Sequence, residues 1–108
     1  MPEYTLGEFE QLVLLALTRL GQDAYGVPIT EDIVRRTNRD VSLGAVYKTL
    51  ERLEAKGLIA SRIGAPTAER GGRRKKYFRL LAAGQRALRE SIASLRRMTE
   101  GLEPGLEL

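Results

Sequence analysis

The side chains best equipped for chemistry here are cationic. Lys48 and Arg52 stand four residues apart, and Arg73, Arg74, Lys75 and Lys76 follow one another without a break. Tyr47 lies beside Lys48, and Tyr25 and Gly26 open the segment before Pro28. Such a set suits the gripping of a polyanion. Phosphate oxygens are met by Lys and Arg charge, by tyrosine hydroxyls and by backbone N–H groups at helix starts. Catalysis is a poor match. The 108 residues include no histidine and no cysteine, and no glycine-rich loop of the P-loop type. The commonest general base and metal ligand, thiolate nucleophiles and disulfides are all excluded. No enzyme activity, metal site or cofactor is expected.

Charge narrows the partner further. The chain carries a net +4, yet residues 1–40 hold more acidic than basic groups and residues 82–108 balance. Residues 41–81 contain ten basic and three acidic side chains, so the entire surplus sits in one central segment. That is the footprint of a polyanion-binding surface. No apolar run approaches a membrane span, and no signal segment opens the chain, so a soluble cytoplasmic protein is expected.

The elements that must position these groups follow from periodicity. Leu6, Phe9, Leu12, Val13, Ala16, Leu17 and Leu20 recur at three-and-four spacing and predict a helix, capped by Thr5 with Glu8 and stopped by Gly21. A second helix starts at Gly26, Val27 and Pro28, carries Ile29, Ile33 and Val34 inward and ends near Thr37. The third runs from Ser42 to Lys56 before Gly57, with Leu43, Val46, Leu50 and Leu53 on one face. At about 100° per residue, Ala45, Lys48 and Arg52 point the opposite way. Residues 58–63 and 73–80 alternate as strands of a hairpin with a basic tip, and a helix follows from Ala82 to about Gly101. Leu81, Leu88, Leu95 and Leu102, with Ile92, form a heptad seam longer than a lone helix needs.

Three helices, a hairpin and a helix make a mainly α fold with a small β hairpin, in the order of a winged helix-turn-helix extended at its C-terminus. One compact unit is expected, with residues 1–81 as the DNA-binding part and 82–108 as a dimerisation helix and tail. The motif works because a helix fits the major groove while a basic hairpin reaches neighbouring phosphates or the minor groove.

The residues also resemble a known family, the PadR-like transcriptional regulators in their short single-domain form. The carriers are Leu14 to Leu17, Ala24-Tyr25-Gly26, the run Leu43 to Leu53, Gly57-Leu58-Ile59, Arg74 to Leu80, and Gly84. The resemblance implies a winged helix, homodimerisation through the last helix, and repression at an inverted-repeat operator on double-stranded DNA. Where the family commonly has threonine and proline before its last helix, this chain has Leu81 and Ala82, and Pro28 replaces a helix former. The last helix is short beside those of effector-binding members. A small-molecule effector is therefore not indicated, although the family admits one.

Each group also has a plainer reading. Tyr47 either reaches a phosphate, as the resemblance implies, or closes the edge of the core. Lys48 and Arg52 contact DNA or simply solubilise a helix. Ala45 and Gly44 allow close approach to a groove, or are ordinary helix composition. Ser42 suits an N-cap as well as a DNA contact, and Thr49 is a further candidate beside it. The four-residue basic run, by alternation, sends its members to both faces of its strand. Tyr25 and Gly26 offer backbone N–H groups to a phosphate or form a packing turn. Leu6, Leu88, Ile92, Leu95 and Leu102 are expected at the dimer interface. The resulting expectation is a DNA-binding repressor, the rival being an interaction module that docks an acidic protein on the same basic face.

Overall fold

The computed structural model describes residues 5–65 and 74–102. The elements are α1 (Glu8–Leu20), a 3₁₀ turn (Gly21–Asp23), α2 (Gly26–Thr37), α3 (Leu43–Ala55), β1 (Ile59–Ile63), β2 (Lys76–Leu80) and α4 (Ala82–Thr99). β1 and β2 form an antiparallel hairpin with Ile59 opposite Leu80 and Ile63 opposite Lys76. This is the winged helix: three helices, a two-stranded wing and a trailing helix.

The core follows from the apolar spacing. Val13, Leu14, Ala16 and Leu17 of α1 meet Ile29 and Ile33 of α2, Val46, Leu50 and Leu53 of α3, and Phe78 of β2, all buried. Two inward assignments fail. Val34 and Leu43 lie on the outside, because each sits at the edge of its helix's apolar stripe, where the neighbouring helices no longer cover it.

Helix ends are set locally. α1 begins two residues later than its periodicity suggests. Leu6 is drawn into the core, so the chain enters extended, and Gly7 becomes the N-cap in place of Thr5. Glu10 supplies the returning side chain in place of Glu8, its Oε1 accepting the Gly7 N–H at 2.9 Å. Ser42 caps α3 as expected, Oγ accepting the Ala45 N–H at 3.1 Å. Asn38 closes α2 in the left-handed region at φ 56°, which asparagine tolerates better than most residues. No side chain caps α4 at Leu81, in keeping with the missing threonine.

The segment between α1 and α2 contributes to the sheet. Tyr25 bridges to Tyr77, and the Phe78 N–H donates to the Ala24 carbonyl at 2.8 Å. The start of α2 is thereby tied to the wing. At the other end of β2, α4 packs tightly on the chain at Leu58, where a Cβ at Gly84 would collide with the Leu58 carbonyl oxygen.

α4 has two unlike halves. Ala87 and Leu88 are buried and Ile92 packs half-buried against the core. Beyond them, Leu95, Met98 and Leu102 stand 57%, 76% and 46% exposed. Of the seam residues expected between subunits, Leu6 and Leu88 are already consumed by the chain's own core. Each leaves little of its surface for a second copy, and the exposed apolar residues of α4 are the distal ones. Among the described residues no helix is long and apolar enough to cross a membrane.

Candidate nucleic-acid interface

α3 presents Gly44, Ala45, Lys48 and Glu51 to the outside. Lys48 makes no ion pair with any described residue. A Cβ built on Gly44 meets nothing within 4 Å, so the chain's own packing does not require a glycine there. Thr49 is displaced from the expected set. It is only 4% exposed, and its Oγ1 donates to the Ala45 carbonyl at 3.0 Å. A buried hydroxyl spent on its own helix reads no base.

Arg52 also has work inside the chain. Its Nε donates to Glu10 Oε2 at 3.1 Å, and Lys56 Nζ reaches the same oxygen at 2.9 Å. Glu10 is 5% exposed. Burial pushes its carboxyl up, but the Gly7 N–H, Lys56 and Arg52 outweigh that and hold it below the usual carboxylate value. No carboxylate stands three or four residues from Arg52 on its own helix. The real partner lies 42 residues upstream on α1.

The tyrosines and the wing form a second cluster. The Tyr47 ring lies on the Gly26 backbone, where a Cβ would come within 2.5 Å of its hydroxyl. Tyr25 meets Tyr77 edge to face at 5.4 Å between centroids. Lys75 Nζ sits 4.6 Å from the Tyr25 ring centroid and 3.3 Å from its hydroxyl oxygen. Arg62 lies 4.5 Å above the Tyr77 ring. Gly64 leaves room for that ring, since a Cβ there would stand 2.6 Å from it. Tyr25, Gly26, Tyr47 and Lys75, four residues dispersed over 51 positions, thus gather at the start of α2.

The rest of the basic run divides. Arg74 is exposed. Lys76 turns to the other face of β2, 3.7 Å from Glu54 of α3 and 5.5 Å from the Phe78 ring. Arg73 lies outside the described residues. Arg62, Tyr77 and Glu10 were not singled out from sequence. Arg62 and Tyr77 face each other across the hairpin register, a pairing visible only once the register is known.

Asp32 is a second buried carboxylate. It is 2% exposed in the middle of α2 and collects Arg19 of α1 at 2.7 Å, Arg35 at 3.0 Å and Arg36 at 3.0 Å. The Arg19 hydrogen bonds, opposed by burial and helped by Arg36, hold its carboxyl below the usual range. An open groove of about 990 Å³ runs between α1, β2 and α4, with Leu15, Phe78, Leu88 and Ile92 in its lining; no residue of α3 borders it.

The comparisons agree with this architecture. Residues 13–90 match the model of the transcriptional regulator PadR-like family. A PadR family transcription regulator from hypervirulent Clostridium difficile R20291 is 27% identical, with 93% of this chain and 99% of that one covered at a TM-score of 0.74. A PadR family regulator from Eggerthella lenta DSM 2243 is 29% identical over 93% of this chain and 87% of that one, at a TM-score of 0.65. PadR of Bacillus subtilis, solved in complex with operator DNA, shares the fold at 21% identity and a TM-score of 0.67, covering 79% of this chain and 46% of that one. A comparison with curated proteins finds no match. With the family model spanning residues 13–90 of 108, the chain belongs to the PadR-like family of transcriptional regulators, a family of regulators and not of enzymes.

Proposed function

We propose that this regulator is a cytoplasmic repressor that binds an inverted-repeat operator as a homodimer. One observation carries the reading: the outer face of α3 is small and exposed at Gly44 and Ala45, and its Lys48 has no carboxylate partner among the described residues. A helix entering a major groove needs such a face, with its N-terminal half toward the bases. Ala45 and Lys48 meet the groove, and Ser42 keeps the helix start in place. Tyr47, Tyr25, the Gly26 backbone and Lys75 form the phosphate grip beside it, extended by Arg74. Lys76 contributes less, being drawn toward Glu54, and Arg52 serves mainly as a strut to α1. Residues 1–81 act as the reading head. The helix beyond supplies the pairing surface through Leu95, Met98 and Leu102, with Ile92 at its edge, since exposed apolar residues at this spacing are normally covered by a partner.

Selection from a random duplex library, followed by anisotropy titration of the enriched duplex, tests this. Enrichment of a two-fold repeat, with affinity falling steeply as salt rises, is expected. Lys48→Ala should weaken binding about tenfold, as loss of a groove contact of roughly 1–3 kcal/mol requires. Failure to bind any duplex overturns the reading and favours an acidic protein partner. Met98→Glu should yield monomers by sedimentation; an unchanged mass removes the α4 pairing.

A further inference from the structure

The cations of α3 are not equivalent. Lys48, in its first half, has no ion-pair partner among the described residues. Arg52 and Lys56, in its last turn and at its end, both close on Glu10 Oε2. Glu10 is buried, and its other oxygen is occupied by the Gly7 N–H. Yet half of the Arg52 side chain and a quarter of that of Lys56 remain open to solvent. Both cations keep N–H groups that a phosphate could reach, but the Glu10 charge offsets theirs, and drawing either one outward strips a buried carboxylate of a partner. That exchange is unfavourable, because the carboxylate cannot regain water where it sits.

We propose that Glu10 is a selectivity-determining residue of this regulator. By holding Arg52 and Lys56 against α1, it keeps two cations of the reading helix off the phosphate backbone. The sequence-independent part of binding stays weak, and discrimination rests on the outer face of α3. Phosphate contacts raise affinity for every duplex alike, whereas groove contacts raise it for one. Glu10 touches no DNA itself; it acts through the two side chains that it retains. The proposal rests on the DNA-binding reading above, and that reading fails separately and visibly if the parent protein binds no duplex.

The experiment compares the parent and Glu10→Gln on the library-enriched duplex and on a scrambled duplex of equal length, across a salt series. In Glu10→Gln the released cations engage phosphates. Affinity for the scrambled duplex rises about tenfold at low salt, and the slope of log affinity against log salt steepens by about 1 to 2, one for each phosphate gained. The ratio of enriched to scrambled affinity falls. A purely structural role would weaken both duplexes in parallel with the slope unmoved, and that result overturns the proposal, as does an unchanged slope in a folded variant. Should Glu10→Gln fail to fold, Lys56→Gln decides. If Lys56 is withheld, its loss leaves the slope at the parent value, while Arg74→Ala, at the exposed phosphate contact of the wing, flattens it by about 1. Equal flattening by the two overturns the proposal.

Discussion

Two kinds of seat hold the cations of this molecule, and they lie in different regions. Between the helices, Arg19, Arg35 and Arg36 gather on Asp32, and Arg52 and Lys56 on Glu10, both carboxylates buried. At the tip-side end of the hairpin strands, Lys75 and Arg62 sit over the rings of Tyr25 and Tyr77. A carboxylate cancels the charge it binds. A ring attracts a cation through its quadrupole and leaves the net charge intact. The first arrangement fastens α1 to α2 and α3. The second orders long side chains against a ring, and the ring itself cancels none of their charge. The same residue types thus brace helices in one region and stack on rings in the other.

The largest expected effect breaks the strut side. Asp32→Ala leaves three guanidinium groups without their common acceptor. Because each arginine is between 41% and 69% exposed, water satisfies them partly. The loss should be about 2 kcal/mol by urea unfolding, with the salt slope of DNA binding unmoved. A pH series sharpens the point. The folded-state pKa of Asp32 lies below its ordinary 3.8, so the stability it supplies is complete above that value and is lost as the pH falls through the depressed one. The stability gap between parent and Asp32→Asn should be full at neutrality and close in acid; a gap that persists in strong acid contradicts the assignment.

A smaller effect is expected on the ring side. Lys75→Ala should weaken every duplex alike, by about 1 kcal/mol, and flatten the salt slope by about 1, with the unfolding midpoint near the parent's. A drop in stability comparable to that of Asp32→Ala would erase the distinction between the two seats. Least of all should come from Glu8→Gln. The Glu8–Arg39 pair at 2.8 Å stands in open solvent on both sides, where ion pairs add little. Its unfolding midpoint should match the parent's within error, and a clear shift would show that exposed carboxylates also act as struts here.

Much of this was legible beforehand. The three-and-four spacing of α1, the Ser42 cap, the α3 seam from Val46 to Leu53 and the alternation of the hairpin all depend on neighbours within a turn or a strand. Where the reading failed, the deciding partner was far away in sequence. Thr5 lost the α1 cap because Leu6 is pulled into a core assembled by other helices. Leu43 and Val34 lost their cover because helix crossing, not periodicity, decides where an apolar stripe ends. Arg52 was grouped with Lys48 on the outer face because its partner Glu10 is 42 residues upstream. Leu6 and Leu88 appeared available for dimerisation until α1 and α4 were seen to bury them in one chain.

The sequence alone therefore determined the order of elements, the central concentration of positive charge and the absence of histidine or cysteine chemistry. These are properties of composition and short-range periodicity, and they survive whatever the chain packs against. Only the tertiary structure decided which cations are cancelled and which are kept. Cancellation depends on a carboxylate lying within about 3 Å in a site closed to water, and that distance is set by how helices remote in sequence cross.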